Sequence, residues 1–237
     1  MSRNNTIGIV GRVTSRPALI VDAADWARKV YEVELTRTRP SDTEDTFILR
    51  YDGRAAGSKE MLERIKEGAE IFCGGEIRSE NVHDPKPEEN RVKVFIFAEM
   101  IAVNDPPVED QNEVTIRGNI CKPPRGRETK RRTPRGRRVT VTRLVVAANT
   151  PTGAYYIPCV CWNGQAEKAD DLKVGDYVEI YGRFQSRNFK KHIQGRKLPY
   201  LGTSYEVSVV ELKTKSKEER VGKNDRTIKR GFRHLCK

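Results

Sequence analysis

The chain has 237 residues, with 45 Lys+Arg against 33 Asp+Glu and a net charge of +12. That length suits two domains of roughly 100 residues, each able to bury an ordinary small core. The absence of any run of 18 apolar residues excludes a membrane-spanning helix, and five irregularly spaced cysteines with no Cys-x-x-Cys pair argue against a disulfide framework or a zinc site.

The opening residues, Met1-Ser-Arg-Asn-Asn, lack the apolar core of a secretory signal, so a cytoplasmic, nucleoid-associated protein with reduced thiols is expected. Strands are predicted over Thr6–Val13, Lys29–Arg37, Thr46–Tyr51, Ala69–Arg78 and Arg91–Val103, which are rich in Val, Ile, Phe and Tyr. A short helix fits Ser58–Lys66, with Met61, Leu62 and Ile65 on one face. After a polar, Pro-containing break the same order returns: Glu113–Cys121, Val139–Thr150, Tyr155–Trp162, a helix over Gln165–Asp171, then Asp176–Arg187 and Ser204–Lys213. Five strands with a helix between the third and fourth is the order of an OB-fold, a partly open Greek-key barrel. The predicted class is therefore all-β, two tandem five-stranded OB barrels with one short helix each. The expected boundaries are 1–104 for an acidic, degenerate first barrel, 105–112 for a linker, 113–214 for a basic second barrel and 215–237 for a flexible basic tail.

The two halves repeat in detail. Residues 68–81 read GAEIFCGGEIRSEN and residues 175–188 read GDYVEIYGRFQSRN, an offset of 107. Gly11-Arg12 matches Gly118-Asn119, and 51–55 (YDGRA) matches 162–166 (WNGQA), pairing Tyr51 with Trp162. A period this long marks a duplicated domain, since solenoid repeats run to about 20–50 residues. The copies differ in charge. Residues 1–110 hold 16 Lys+Arg against 21 Asp+Glu, a net of −5, and residues 111–237 hold 29 against 12, a net of +17. One acidic and one strongly basic domain point to a polyanion partner for the second.

The basic residues gather in two loops. Between the first and second strands of the second copy lie Lys122, Arg125, Arg127, Lys130, Arg131, Arg132, Arg135, Arg137 and Arg138, with one acidic residue among seventeen positions. Gly and Pro there argue for a flexible hairpin arm. Between its fourth and fifth strands lie Lys190, Lys191, His192, Arg196 and Lys197. OB-folds use these loops to wrap oligonucleotides. Tyr156 and Trp162 are six residues apart on one strand, so both take one face, and Phe189 follows the fourth strand. Ile157, Cys159 and Cys161 occupy the opposite face and are the core candidates. Aromatics in a basic groove stack bases without regard to sequence, which favours single strands over duplex. The first copy is poor here: Val82 stands where Phe189 stands, Phe47 matches Tyr156 only if the register slips, and its loops carry Asp22, Asp25, Asp42, Glu44 and Asp45.

The run from Ala147 through Tyr155-Tyr156-Ile-Pro158 and Trp162-Asn-Gly-Gln-Ala166-Glu167 to Gly175-Asp176 and Gly182-Arg183-Phe-Gln185-Ser186-Arg187 resembles the bacterial single-stranded-DNA-binding protein family. The resemblance covers about 100 residues of the second copy and weakly the first. It implies an OB-fold that binds single-stranded DNA with little sequence preference, stacking on Tyr156, Trp162 and Phe189 and phosphate contacts by arginines that include Arg183 and Arg187. It also implies four barrels per assembly, hence a homodimer, and a role in DNA replication, recombination or repair. Two features depart from the family. The chain ends in Lys229-Arg-Gly-Phe-Arg-His-Leu-Cys-Lys237 where the family carries an acidic tip that recruits other proteins, and no further tryptophan stands near 149–152.

Nothing in the sequence suggests an enzyme. There is no phosphate-binding Gly-rich motif, no nucleophile elbow and no clustered His or carboxylate set for a metal, so no cofactor is expected. The competing readings are a replication-restart or mobile-element accessory acting through protein contacts, with the acidic first domain as the docking face, and an RNA-binding OB protein.

Overall fold

The computed structural model describes residues 3–83, 91–103, 110–132, 134, 136–192 and 198–214. The linker positions 104–109 and the tail 215–237 lie outside them.

The first half builds β1 (Asn5–Val13), β2 (Ala18–Val21), β3 (Val30–Thr38), β4 (Glu44–Asp52), β5 (Glu70–Asn81) and β6 (Val92–Val103). A 3-10 turn, Trp26–Arg28, precedes β3, and helices α1 (Gly53–Ala56) and α2 (Lys59–Arg64) follow β4. The helix predicted over Ser58–Lys66 is α2, and α1 is a further turn ahead of it. Asp52 caps α1 by accepting from the Ala55 N–H, Gly57 (φ 79°) ends it, and Ser58 caps α2 by accepting from the Met61 N–H. The second half builds β7 (Asn112–Ile120), β8 (Arg125–Arg132), β9 (Arg138–Thr150), β10 (Gly153–Trp162), α3 (Gly164–Asp170), β11 (Tyr177–Lys191) and β12 (Tyr200–Thr214).

Each half closes on itself. In the first, β1 pairs with β3 and β5, β3 with β4, β4 runs parallel to β6, and β6 pairs with β5. In the second, β7 pairs with β9 and β11, β9 with β10, β10 runs parallel to β12, and β12 pairs with β11. These are two five-stranded OB barrels, as predicted, each with one extra strand: β2 lies along β3 and β8 along β9. The extra strands are the loops after the first strand of each copy, so the basic arm is a strand and not an irregular loop.

Alternation explains the cores. On β4, Phe47, Leu49 and Tyr51 have no accessible surface, and on β10 Ile157, Cys159 and Cys161 have almost none. The repeated glycines have steric reasons. A Cβ on Gly75 would sit 2.1 Å from the Phe97 carbonyl oxygen and one on Gly182 2.4 Å from that of Ser208, at a bulge in each barrel. Gly68 (φ 89°) and Gly175 (φ 95°) hold left-handed turns before β5 and β11.

The barrels join through an internal pseudo-two-fold. β1 pairs antiparallel with β7, Asn5 opposite Ile116, Ile7 opposite Val114 and Ile9 opposite Asn112. Adding 107 to the first-barrel member of either outer pair gives the second-barrel member of the other, which is how an isologous contact behaves. The seam repeats the relation in side chains. Asn5 accepts from the Ile77 N–H and donates to its carbonyl, and Asn112 does the same for Phe184. The Ser186 hydroxyl accepts from the Thr46 N–H, and Ser79 accepts from the Tyr156 N–H (2.8 Å). Phe47 of the first barrel stacks on Phe184 of the second at 5.0 Å, beside Tyr205. Asp45, fully buried, accepts from Arg39 Nε (2.7 Å) and from the Ser186 N–H (2.7 Å), so its charge is paired and hydrogen-bonded.

Candidate nucleic-acid interface

Strand register places Tyr156, Trp162, Phe189, Arg125, Arg127, Arg183 and Arg187 on one outer face of the second barrel. Directly opposite residues in a sheet share a face. Arg127 lies opposite Val141, which lies opposite Trp162. The next outward row runs across five strands: Arg125, Arg143, Val160, Ser208 and Arg183. Along β10 the outward set is Tyr156, Pro158, Val160 and Trp162. Tyr156 is 50% exposed and Trp162 36%, while Val141 and Val160 are buried, giving the aromatics an apolar floor. Along β11 the outward set is Arg183, Gln185, Arg187 and Phe189, alternating with the buried Phe184. Inward, Gly126 sits against Asp170 of α3, where a Cβ would meet its carboxylate at 2.3 Å.

Phe189 is half-buried and lies over Gly202, with Tyr200 tilted beside it at 6.4 Å. Lys190 and Lys191 are on β11 itself, because the β11–β12 hairpin extends to the Lys191–Tyr200 pair. Arg125, Arg127, Arg131, Arg132, Arg137 and Arg138 are exposed along the β8–β9 hairpin. Arg138 pairs there with Glu128 at 3.1 Å, and Arg132 donates to the Gly136 carbonyl. Arg135, Arg196 and Lys197 lie outside the described residues, as does the side chain of Lys130.

Two residues of this face escaped the sequence reading, Arg143 and Glu206. Glu206, 5% exposed, sits at its centre with Arg143 Nε and Arg187 Nε each 3.9 Å from its carboxylate, and Gln185 donates to it at 3.2 Å. A buried carboxylate held by two arginines fixes their position while cancelling one charge.

The first barrel corrects one correspondence and explains another. Ladder partners equate Leu49 with Cys159, since Leu49 faces Ile96 as Cys159 faces Val207. Trp162 therefore corresponds to Asp52, and the inward Tyr51 to Cys161. The extra residue is Asn163 (φ 48°), which the sequence match passed over. By the same ladders Arg143 corresponds to Glu32, Arg183 to Glu76 and Arg187 to Glu80. Those three glutamates neutralise their own face. Glu32 accepts from Arg50 (2.7 Å) and pairs with Lys93 (3.1 Å), Glu80 pairs with Arg50 (2.9 Å), and Glu76 pairs with Arg78 (2.7 Å). Burial pushes the Glu32 carboxyl up, but hydrogen bonds from Arg50 and Lys93 outweigh it and hold the group below its ordinary value. Arg50 and Arg78 also stack over Phe95 and Phe97, 4.1 and 3.7 Å from the ring centroids.

Residues 111–221 match the Single-strand binding protein family. The matched stretch contains every outward residue of this face. Two solved structures of the single-stranded DNA binding protein from Thermus aquaticus share the fold across both barrels. The wild-type protein has a TM-score of 0.67 at 22% identity, covering 91% of this chain and 95% of that one. A deletion mutant of the same protein, which also carries one arginine-to-alanine substitution, has a TM-score of 0.66 at 22% identity, covering 92% and 97%. No curated protein matches the chain in sequence. Among the described residues no group of three His, Cys, Asp or Glu side chains gathers to hold a metal.

Proposed function

We propose that the protein binds and protects single-stranded DNA without sequence preference, in DNA replication, recombination or repair, and that the second barrel does most of the binding. The observation that carries this reading is the single outer face on which Tyr156 and Trp162 stand exposed among Arg125, Arg127, Arg143, Arg183 and Arg187. Aromatic rings supply a stacking surface that ignores base identity, and the flanking cations neutralise phosphates. Phe189 extends the platform along the hairpin, with Lys190 and Lys191 following it on β11, and the remaining cations of the two basic segments neutralise phosphates. The family match of the second half and the name of the Thermus aquaticus relatives support the same substrate.

The first barrel, self-neutralised at the equivalent positions, serves assembly and keeps a residual contact with DNA. The chain works as a homodimer presenting four barrels, acts in the cytoplasm on the nucleoid, and performs no catalysis.

Labelled oligo(dT) of graded length, set against duplex of equal length at two salt concentrations, tests the binding. Single-strand binding that survives the higher salt is expected from stacking. Binding that ignores strandedness and vanishes with salt would defeat the reading. Sedimentation equilibrium tests the dimer, and oligo(U) in competition separates RNA from DNA.

A further inference from the structure

The outer face of the second barrel does not end at Tyr156. Two residues along β10, ~7 Å away at strand spacing, the outward Pro158 enters a groove of about 620 Å³ between the barrels. Its apolar walls are Ile48 and Val82 from the first barrel and Pro158 and Tyr205 from the second. Arg91 and Lys93 stand on the first-barrel side, and the Ser204 hydroxyl on the other. No carboxylate is among its described lining residues. Two carboxylates lie close by: Glu34 stands opposite Ile48 on β3, and Glu32 is engaged by Arg50 and Lys93.

Pro158 and Ile48 occupy equivalent outward positions in the two barrels, by the same ladder that equates Cys159 with Leu49. The pseudo-two-fold therefore brings the two outer faces edge to edge at this groove. Apolar walls suit the face of a base, a cationic side suits a phosphate, and the Ser204 hydroxyl, which donates to the Arg187 carbonyl, keeps a lone pair to accept from a base edge. Elsewhere the equivalent face of the first barrel is spent on internal ion pairs; at the groove Lys93 is shared with Glu32, and Arg91 adds a second cation.

We propose that this groove is a base-binding subsite, through which a single strand leaving Tyr156 crosses onto the first barrel beside Arg91 and Lys93. The inference rests on the reading of the second barrel as a single-strand binder. It makes the first barrel part of the strand's path at one place and inert at the rest.

Ile48→Glu tests it, since Ile48 is only half-buried and the new carboxylate would line the groove. Affinity is measured for oligo(dT) of about 8 nucleotides, short enough for one barrel, and of about 30 nucleotides, which spans both. The variant is expected to hold the short strand as the parent does and the long one ~5-fold or more weakly, the loss of about one stacked base. Equal affinity of parent and variant for both lengths overturns the inference, and so does an equal loss on both. A second measurement uses the unaltered protein: 4-thiothymidine spaced along the long oligonucleotide is crosslinked by light and the adducts are mapped. Adducts on the peptides carrying Ile48 or Tyr205 are expected, and their absence overturns the inference whether or not the variant folds. Failure of the underlying reading looks different: the parent binds neither length, or Trp162→Ala leaves the short-strand affinity untouched.

Discussion

Replacing Arg125, Arg127 and Arg131 together by glutamine asks whether the β8 arm meets phosphate. All three side chains are exposed, so each change alters stability by no more than ~0.5 kcal/mol. Arg143 and Arg187 are poorer choices. Removing both would strand the buried Glu206 carboxylate, and an uncompensated buried charge destabilises the fold on its own account. On a single strand each neutralised phosphate contributes ~0.7 to the slope of log affinity against log salt. Three lost contacts flatten that slope by ~2.1. Between about 50 and 200 mM salt the parent should therefore lose ~18-fold more affinity than the triple variant. Fluorescence anisotropy of a labelled oligo(dT) over the salt series measures both slopes. Slopes within ~0.3 of one another would refute the assignment. The arm's charge would then be read as protection of an exposed sheet edge against pairing with another chain. Against that reading stands β2, the same arm in the first barrel, whose Leu19, Ile20 and Val21 are exposed and carry no charge.

Trp162→Ala should weaken oligo(dT) binding by ~1–3 kcal/mol and leave the salt slope unaltered, separating stacking from charge; a folded variant with parental affinity would end the stacking assignment. Asn112→Ala removes both side-chain bonds to the buried Phe184 backbone and should cost ~2 kcal/mol, read as a lowered urea midpoint. An unshifted midpoint would show that water replaces the amide. Phe184→Ala empties the position that stacks on Phe47 across the seam and should cost ~3–5 kcal/mol in the same assay. Burial pushes the Cys73 and Cys161 thiols up to about 12 from 9.0. The folded state thus keeps protons that the unfolded chain releases near pH 9, so their contribution to stability is intact below that pH and is lost as pH climbs towards 12. Urea midpoints that rise between about pH 8 and pH 10 would contradict it. Iodoacetamide at about pH 8 should spare both thiols until denaturant is added.

The barrels were legible because their cores follow a period of two and their turns carry glycine at fixed places in both copies. Gly68 and Gly75 recur as Gly175 and Gly182 for steric reasons that composition alone does not show but repetition does. The arms were less legible. Ala18–Val21 is too short to read as a strand by alternation, and Arg125–Arg132 has no apolar residue to alternate; each is a strand because a neighbour offers it an edge. The match of Trp162 to Tyr51 failed by one residue, since the motif that follows it aligns well and the extra Asn163 is invisible without the ladder. Glu206 was missed because a glutamate that alternates with the valines of a strand reads as solvent-facing. The exchange of Arg183 for Glu76 and Arg187 for Glu80 was present in the repeat itself, two charge reversals in fourteen aligned positions, and only the shared face gives them meaning. Arg143 against Glu32 needed the structure, because no motif aligns the second strands.

Duplication within one chain is what permits that reversal. In a symmetric dimer of identical barrels every substitution appears twice, so a face cannot become basic on one subunit and neutral on the other. Covalent linkage lifts the restriction while β1–β7 and the paired Ser186–Thr46 and Ser79–Tyr156 contacts retain the geometry of a dimer. Two basic faces meeting edge to edge beside the seam would repel across a short distance, and partial burial there limits screening. Placing Glu32, Glu76 and Glu80 on one of them removes that repulsion, and their ion pairs with Arg50, Arg78 and Lys93 leave the face close to neutral. Trp162 against Asp52 belongs to the same division: the position that presents an aromatic ring in one barrel caps a helix in the other. Six of the 22 charge units that separate the two halves are thus a property of one face, set residue by residue across equivalent ladders, and most of the rest lies in the basic arm and the tail.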